Sequence, residues 1–213
     1  MTPQEFAAAA GVSRETLARL EKYDALLLDW SARMNLVARA TLPDRWRRHF
    51  LDSAQLFPLI PAGATTLADL GSGAGFPGLV LAAMGEERGL HVTLVEATRK
   101  KAAFLSAAAE AMRLKNVSVI PERLESITIS PPDVIVARAF ARLEKLLAYA
   151  REIAGEKTVC FFLKGQDIEV ELTETAKSWH IEATNYPSAT SAGSTILAVR
   201  QFAPLRPPLV PSR

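Results

Sequence analysis

The stretch Asp69-Leu70-Gly71-Ser72-Gly73-Ala74-Gly75-Phe76-Pro77-Gly78 constrains this chain more than any other. One apolar run, 65–70, leads into it, and another, 79–84, leads out. A strand that turns through clustered glycines into a helix puts that turn at the ligand crevice of a doubly wound sheet. Glycine there admits positive φ and lets backbone come close to a ligand. The alternation then continues. Strands are predicted at 91–95, 117–120, 133–137 and 158–163. Helices are predicted at 98–114, with Thr98 as N-cap, at 143–153 and over 166–178. The strands are continuous apolar runs, the pattern of strands covered on both faces. Two last candidates, 181–185 and 195–202, have no helix between them, which predicts an antiparallel hairpin at the sheet edge. The fold class is therefore α/β: a doubly wound, Rossmann-like, mostly parallel sheet closed by a C-terminal antiparallel hairpin.

Residues 1–61 read as a helical extension ahead of this sheet. Ser13 is a natural N-cap, and Leu17, Leu20, Leu27 and Trp30 follow at near-helical spacing. Pro43 suits a helix start, with Trp46, Phe50, Leu51, Ala54 and Phe57 behind it, and Pro58 and Pro61 end that helix. The sheet domain spans 62–203. The proline-rich tail, 204–213, is expected to be unstructured or loosely packed. A length of 213 residues with 49% apolar content suits one such domain with an extension.

The net charge is only +2, so bulk charge does not point to nucleic acid. The basic residues are clustered, however: Arg45, Arg47 and Arg48 form one knot, and Arg99, Lys100 and Lys101 another. Such knots can attract phosphate on a nearly neutral protein. The single cysteine, Cys160, lies inside an apolar strand and reads as a small hydrophobe. No apolar run approaches membrane-spanning length, and the N-terminus lacks the pattern of a signal peptide, so a cytoplasmic location is expected. His49, His91 and His180 have no zinc spacing, so no metal is expected. Nothing in the sequence calls for more than a monomer.

Glu96 ends the second strand about 20 residues after the glycines, where an acidic side chain accepts hydrogen bonds from ribose hydroxyls. The loop thus suits a nucleoside-containing cofactor, in either of two forms. Gly73 to Gly78 satisfies G-x-G-x-x-G, the dinucleotide fingerprint. Read from Asp69, the same stretch gives D-x-G-x-G-x-G, the pattern of S-adenosylmethionine enzymes. An NAD(P)-dependent reductase and a non-catalytic RNA- or ribosome-binding module therefore stand beside a methyltransferase. Arg138 and Lys164 end the fourth and fifth strands, where side chains face the crevice. Arg138-Ala139-Phe140 stands where amino-group DNA methyltransferases carry Asp/Asn-Pro-Pro-aromatic, which disfavours adenine-N6 and cytosine-N4 chemistry. The strand position of Cys160 disfavours a cytosine-C5 mechanism, which needs an accessible thiolate.

Several blocks in order resemble the RsmG family, also called glucose-inhibited division protein B. They are Asn35-Leu36, Arg48-His49-Phe50-Leu51-Asp52-Ser53, the glycine loop, Lys100 through Leu105, Arg138-Ala139-Phe140-Ala141 and Leu163-Lys164-Gly165-Gln166. The resemblance implies a class I methyltransferase that uses S-adenosylmethionine to methylate guanine N7 in 16S ribosomal RNA, at guanine 527 of the decoding-region loop. It implies a cofactor site at Gly71, Gly73, Gly75, Phe76 and Glu96, with Leu124 and Glu125 beside the adenine and Arg138 in contact with the cofactor. Many members carry proline at the position of Ala74. An RNA surface would draw on Arg39, Arg45, Arg48, Arg99, Lys100 and Lys101. Guanine N7 is an exposed lone pair, so no general base is expected. Arg138 and Lys164 would position cofactor or RNA rather than act on the base.

Overall fold

The structure, a computed structural model, describes residues 1–205. The N-terminal third is helical: α1 (Pro3–Ala10), α2 (Arg14–Ser31) and the short α3 (Asp52–Ala54). Ser13 caps α2 as expected, its hydroxyl accepting from the Thr16 amide at 3.1 Å. The single helix expected after Pro43 is instead a broken path. A 3₁₀ stretch, Arg39–Asp44, holds Pro43, and a π-helical turn, Trp46–Leu51, follows before α3. Side chains compete for the backbone here: the Ser53 hydroxyl bonds the His49 carbonyl at 2.6 Å, and the Arg45 guanidinium reaches the Leu42 carbonyl. Such π turns recur at functional sites, and this one carries Arg48 and His49.

Then come β1 (Thr66–Leu70), α4 (Gly78–Gly85), β2 (His91–Val95), α5 (Arg99–Met112), β3 (Val117–Ile120), β4 (Val134–Arg138) and α6 (Leu143–Ile153). The chain closes with β5 (Val159–Lys164), α7 (Ile168–Thr175), β6 (Trp179–Pro187) and β7 (Thr195–Pro204). The sheet order is β3-β2-β1-β4-β5-β7-β6. The β1–β2, β1–β4, β2–β3 and β4–β5 pairs are parallel. β7 is antiparallel to both β5 and β6, which is the expected edge hairpin. Strand order reverses between β1 and β4, so a crevice opens at the carboxyl ends of those two strands.

Alternate residues of each strand enter two separate cores. Leu67, Val134, Val136, Phe161 and Ala198 face one side, packed with α1, α2, α4 and α5. Ala68, Ile135, Cys160, Phe162 and Leu197 face the other, packed with α6 and α7. Phe6, Leu20, Tyr23 and Phe50 belong to the first core, so the N-terminal helices pack against the sheet through a shared core. Burial pushes the Cys160 thiol upward, as befits a packing residue.

Two expectations need correction. Thr98 stands at the N-cap position of α5, but its hydroxyl makes no capping bond; its amide is held by the Glu96 carboxylate at 2.7 Å. Pro204 ends β7 and the Leu205 amide bonds the Ser178 carbonyl, so these two residues are held, while 206–213 of the expected loose tail lie outside the described residues.

Candidate active-site groove

The floor of the crevice is built by Asp69, the fourth residue of β1. It is fully buried, and its Oδ2 accepts from the Gly78 amide at 3.0 Å. That bond ties the end of the glycine loop back to the strand that launches it. Burial raises the Asp69 pKa to about 7 against the pull of the Gly78 amide. Two glycines of the loop are required by geometry. Gly71, at φ 69°, would bring a Cβ within 2.2 Å of Phe140 Cδ2. Gly75, at φ 92°, would bring one within 2.4 Å of Leu79 Cδ1. Gly75 therefore faces the core beneath the loop, and it does not line the groove as expected. The Tyr23 hydroxyl from α2 holds the loop from below by donating to the Ala74 carbonyl.

Above this floor lies a groove of about 640 Å³. Gly71, Gly73, Phe76 and Glu96 line it, together with Lys101, Arg138 and Phe140. The Glu96 carboxylate is buried, and both oxygens are already used once: Oε2 accepts from the Gly73 amide at 2.9 Å and Oε1 from the Thr98 amide at 2.7 Å. An ionised carboxylate has about four acceptor positions, so about two remain. Glu96 thus couples the shape of the glycine loop to whatever donates to it from the groove.

The opposite wall comes from the N-terminal segment: Leu36, Val37, Ala38, Thr41, Arg48 and His49. The His49 ring stacks on Phe76 at 5.1 Å between centroids. Its Nδ1 lies 3.1 Å from Arg138 Nη1, which can only donate. Nδ1 is therefore the acceptor, and the proton sits on Nε2, which donates to Thr41 Oγ1 at 2.8 Å. The Thr41 hydroxyl in turn donates to the Ala38 carbonyl at 2.6 Å. Burial, followed by the cations Arg138 and Arg48, lowers the His49 pKa to about 3.

Arg138 reaches this wall from the end of β4. Its guanidinium lies over Phe76 at 5.0 Å and contacts the Arg48 carbonyl and Asp52 Oδ2, the latter at 3.4 Å. Asp52 Oδ1 in turn accepts from Gln55 Nε2 at 2.9 Å and from Thr190 Oγ1 at 2.6 Å. Thr190 lies in the turn between β6 and β7, and that turn is also tied to Gln55 by the Ala189 amide. The π turn, the end of β4 and the β6–β7 turn thus meet at Asp52.

The other expected residues are placed as follows. Lys164 turns from the groove, its Nζ bonded to the Ala141 carbonyl at 3.0 Å and paired with Glu171 at 2.7 Å. Leu124 and Glu125 are not among the residues lining the groove: Leu124 packs against the second core, and Glu125 takes the Tyr149 hydroxyl at 2.6 Å, the Tyr149 ring lying 5.9 Å from that of Phe140. Arg45 faces inward, forking Asp24 with Nε and with Nη2 at 2.8 Å, and so leaves the expected RNA surface. Arg39, Arg48, Arg99 and Lys100 are exposed, Lys101 is half-buried, and none has an acidic partner among the described residues. His49, Asp52, Thr41 and Thr190 were not expected at the site. A signal existed for two of them, since His49 and Asp52 are three residues apart and so share one helical face.

The family described as rRNA small subunit methyltransferase G, GidB, matches residues 16–197. The ribosomal RNA small subunit methyltransferase G of Paramagnetospirillum magneticum is 50% identical over 201 residues, covering 94% of this chain and 96% of that one. Its namesake from Rhodospirillum rubrum is 48% identical over 206 residues, covering 95% and 98%. This chain belongs to the rRNA small subunit methyltransferase G family. Among solved structures, an O-methyltransferase from Bacillus cereus in complex with SAH has a TM-score of 0.55 at 18% identity, covering 83% of this chain and 90% of that one. At that identity the likeness speaks for the fold, a Rossmann-like methyltransferase sheet. Membership of the methyltransferase G family decides between the two readings of the glycine loop: the chain is an S-adenosylmethionine-dependent ribosomal RNA methyltransferase, not a reductase. The groove fits that donor. Its volume lies in the range of small-molecule sites, about 300–1,000 Å³, and its floor pairs side-chain-free backbone at Gly71 and Gly73 with a buried carboxylate that keeps acceptor positions open. Among the described residues no helix is long and apolar enough to cross a membrane.

Proposed function

We propose that this methyltransferase modifies N7 of a guanine in 16S ribosomal RNA, the decoding-region guanine that its family resemblance implies. One observation carries the choice of atom: the histidine that lines the groove, the natural proton acceptor near neutral pH, is engaged at both ring nitrogens. His49 accepts from Arg138 on one nitrogen and donates to Thr41 from the other. Asp69 is buried beneath the loop, and Glu96 is tied to two amides. An oxygen or exocyclic amino nucleophile would need a group to take its proton. Guanine N7 has an exposed lone pair and needs none.

When bound, the donor supplies a methyl on a sulfonium: the N7 lone pair forms the new N–C bond, the C–S bond breaks with its electrons kept by sulfur, and positive charge passes to the ring. The protein's part is to orient and to exclude water. Glu96 takes the ribose hydroxyls, the Gly71 and Gly73 backbone supports the nucleoside, and Arg138, fixed between Phe76 and His49, offers its remaining donors to the carboxylate of the amino-acid moiety. Holding N7 within about 3–3.5 Å of the methyl is worth roughly 7–11 kcal/mol of the barrier. Arg39, Arg48, Arg99, Lys100 and Lys101 surround the mouth of the groove and take RNA phosphates.

Small subunits from cells lacking this gene, incubated with the purified protein and labelled donor, should gain one 7-methylguanine, located by borohydride and aniline cleavage of the 16S RNA. Label on another atom or another base overturns the assignment.

A further inference from the structure

Beside the donor groove lies a second, smaller cavity, and Arg138 lines both. It measures about 160 Å³ and opens at the carboxyl ends of β4 and β5, the edge at which this fold class presents its chemistry. Asp52, Gln55, Lys164, Ser188 and Thr195 complete its principal lining. It is too small for the methyl donor, given the roughly 300 Å³ lower bound of such sites, and comparable with one planar base. Its lining is polar, and its charges are balanced in place: Lys164 is paired with Glu171, and Arg138 with Asp52.

The unequal engagement of Asp52 is the telling feature. Oδ1 is saturated by Gln55 and Thr190, and these bonds lock the carboxylate's orientation. Oδ2 has only the long 3.4 Å contact to Arg138. It is a half-buried carboxylate oxygen with acceptor capacity to spare, beside a base-sized space. Of the four bases, guanine alone pairs an N1–H with an exocyclic N2 amine on one edge, both donors, and it presents N7 from the far side of the ring. An edge of two donors calls for a carboxylate. Leaving such a carboxylate unpaired is what rejects analogues lacking a donor.

We propose that Asp52 is the residue that selects guanine, its Oδ2 accepting from the N1–H and N2–H edge of a base turned into this cavity. The inference rests on the guanine-N7 reading and deepens it. It also answers the electrostatics of that reaction. Methyl transfer leaves the ring positively charged, and a carboxylate held against the edge opposite N7 strengthens its bond as that charge develops. Arg138 is thereby assigned two tasks: it faces the donor groove, and it keeps Asp52 neutralised until the base arrives.

The test uses the full-length enzyme and small-subunit particles reconstituted on 16S RNA with guanine or inosine at the target position. Inosine keeps N7, O6 and N1–H and lacks only the 2-amino group. Wild-type enzyme should methylate guanine about ten- to a hundredfold faster than inosine, the discrimination of one good pair of base contacts. Asp52→Asn should slow guanine by a similar factor, slow inosine less, because inosine has only the N1–H to lose from the carboxylate, and so bring the two rates closer together. Thr190→Val, which removes one of the two bonds to Oδ1 and spares Oδ2, should lower the preference less than Asp52→Asn, because Gln55 still holds Oδ1. A loosened fold would slow both substrates alike, so equal slowing by Asp52→Asn overturns the proposal. Equal rates on guanine and inosine with the wild-type enzyme overturn it even if the variant does not fold. If guanine particles acquire no 7-methylguanine from the wild-type enzyme, the broader reading fails and takes this inference with it.

Discussion

His49 lies between two cations, Arg48 and Arg138, with its ring against Phe76. Protonating it in place would break the bond from Arg138 and add a third positive charge. Its folded pKa is accordingly about 3, against an ordinary value near 6.5. A depressed pKa means that the unfolded chain binds the proton first. The stability His49 contributes is therefore complete above pH 6.5 and is lost as pH falls toward 3. Asp69 runs the other way: with a folded pKa of about 7 against 3.8, its contribution is complete below pH 3.8 and is lost as pH rises through 7. Between pH 7 and pH 5 the His49 share alone is roughly 2 kcal/mol, or about 4–8 °C in Tm for a chain this long. The variant His49→Gln keeps an acceptor and a donor but cannot titrate, so between pH 7 and pH 5 its Tm should shift upward relative to the wild type's by about that amount. Parallel Tm curves in a pH series of thermal melts would refute the assignment. Legibility at this scale was uneven. Glu96 could be read from its distance to the glycines, because a βα unit fixes that spacing. Gly75 was assigned to the wrong face, because a motif gives residue order and not the side of the loop. His49 and Asp52 went unassigned because their partners, Arg138 and Thr190, lie 86 or more residues away, and no local pattern records such pairing.

The elements that deliver these residues are tied together by Asp24 of α2. Its Oδ1 takes Arg45 Nε, and its Oδ2 takes Arg45 Nη2 and, at 3.1 Å, the Trp46 indole N–H. Trp46 stacks on Phe50 at 4.1 Å, and Phe50 meets Phe76 beneath the groove at 5.2 Å. One carboxylate thus fixes the π turn against α2, and the π turn carries the wall of the site. Removing it leaves a part-buried guanidinium and an indole N–H unpaired, so Asp24→Ala should cost about 2–4 kcal/mol in urea denaturation. Arg45→Ala should also destabilise, yet leave the salt dependence of RNA binding unchanged. A shallower salt slope for Arg45→Ala would restore this residue to the RNA surface. The central strands were legible because burial on both faces gives an unbroken apolar run, as in Val134-Ile135-Val136-Ala137 of β4 and Val159 to Leu163 of β5. The segment from Arg39 to Ala54 was not. Its apolar residues keep helical spacing, but Pro43 and the pull of Asp24 divide the path, and spacing alone carries no trace of that ion pair.

For the whole molecule, a net charge of +2 gives little long-range attraction for a polyanion. What attraction exists must come from where the cations stand. Arg39 follows Ala38 of the groove wall; Arg99 and Lys100 begin α5 directly after Thr98, which also lines the groove. Among the described residues no acidic side chain is paired with any of the three, while Asp24 pairs with Arg45, Asp52 with Arg138, Glu86 with Arg19 and Glu171 with Lys164. Unpaired, exposed positive charge thus stands beside the groove. Binding driven by such charge releases counterions from RNA, and the slope of log K against log salt becomes shallower by about 0.7–0.9 for each phosphate that is no longer neutralised. Replacing Arg39, Arg99 and Lys100 together with alanine should flatten that slope by about 2–3, measured by filter binding of 16S RNA across a salt series. Donor affinity by calorimetry should not change, because none of the three lines the groove. An unchanged slope would place the RNA on another face of the molecule, and weakened donor affinity would mean that these cations shape the groove itself.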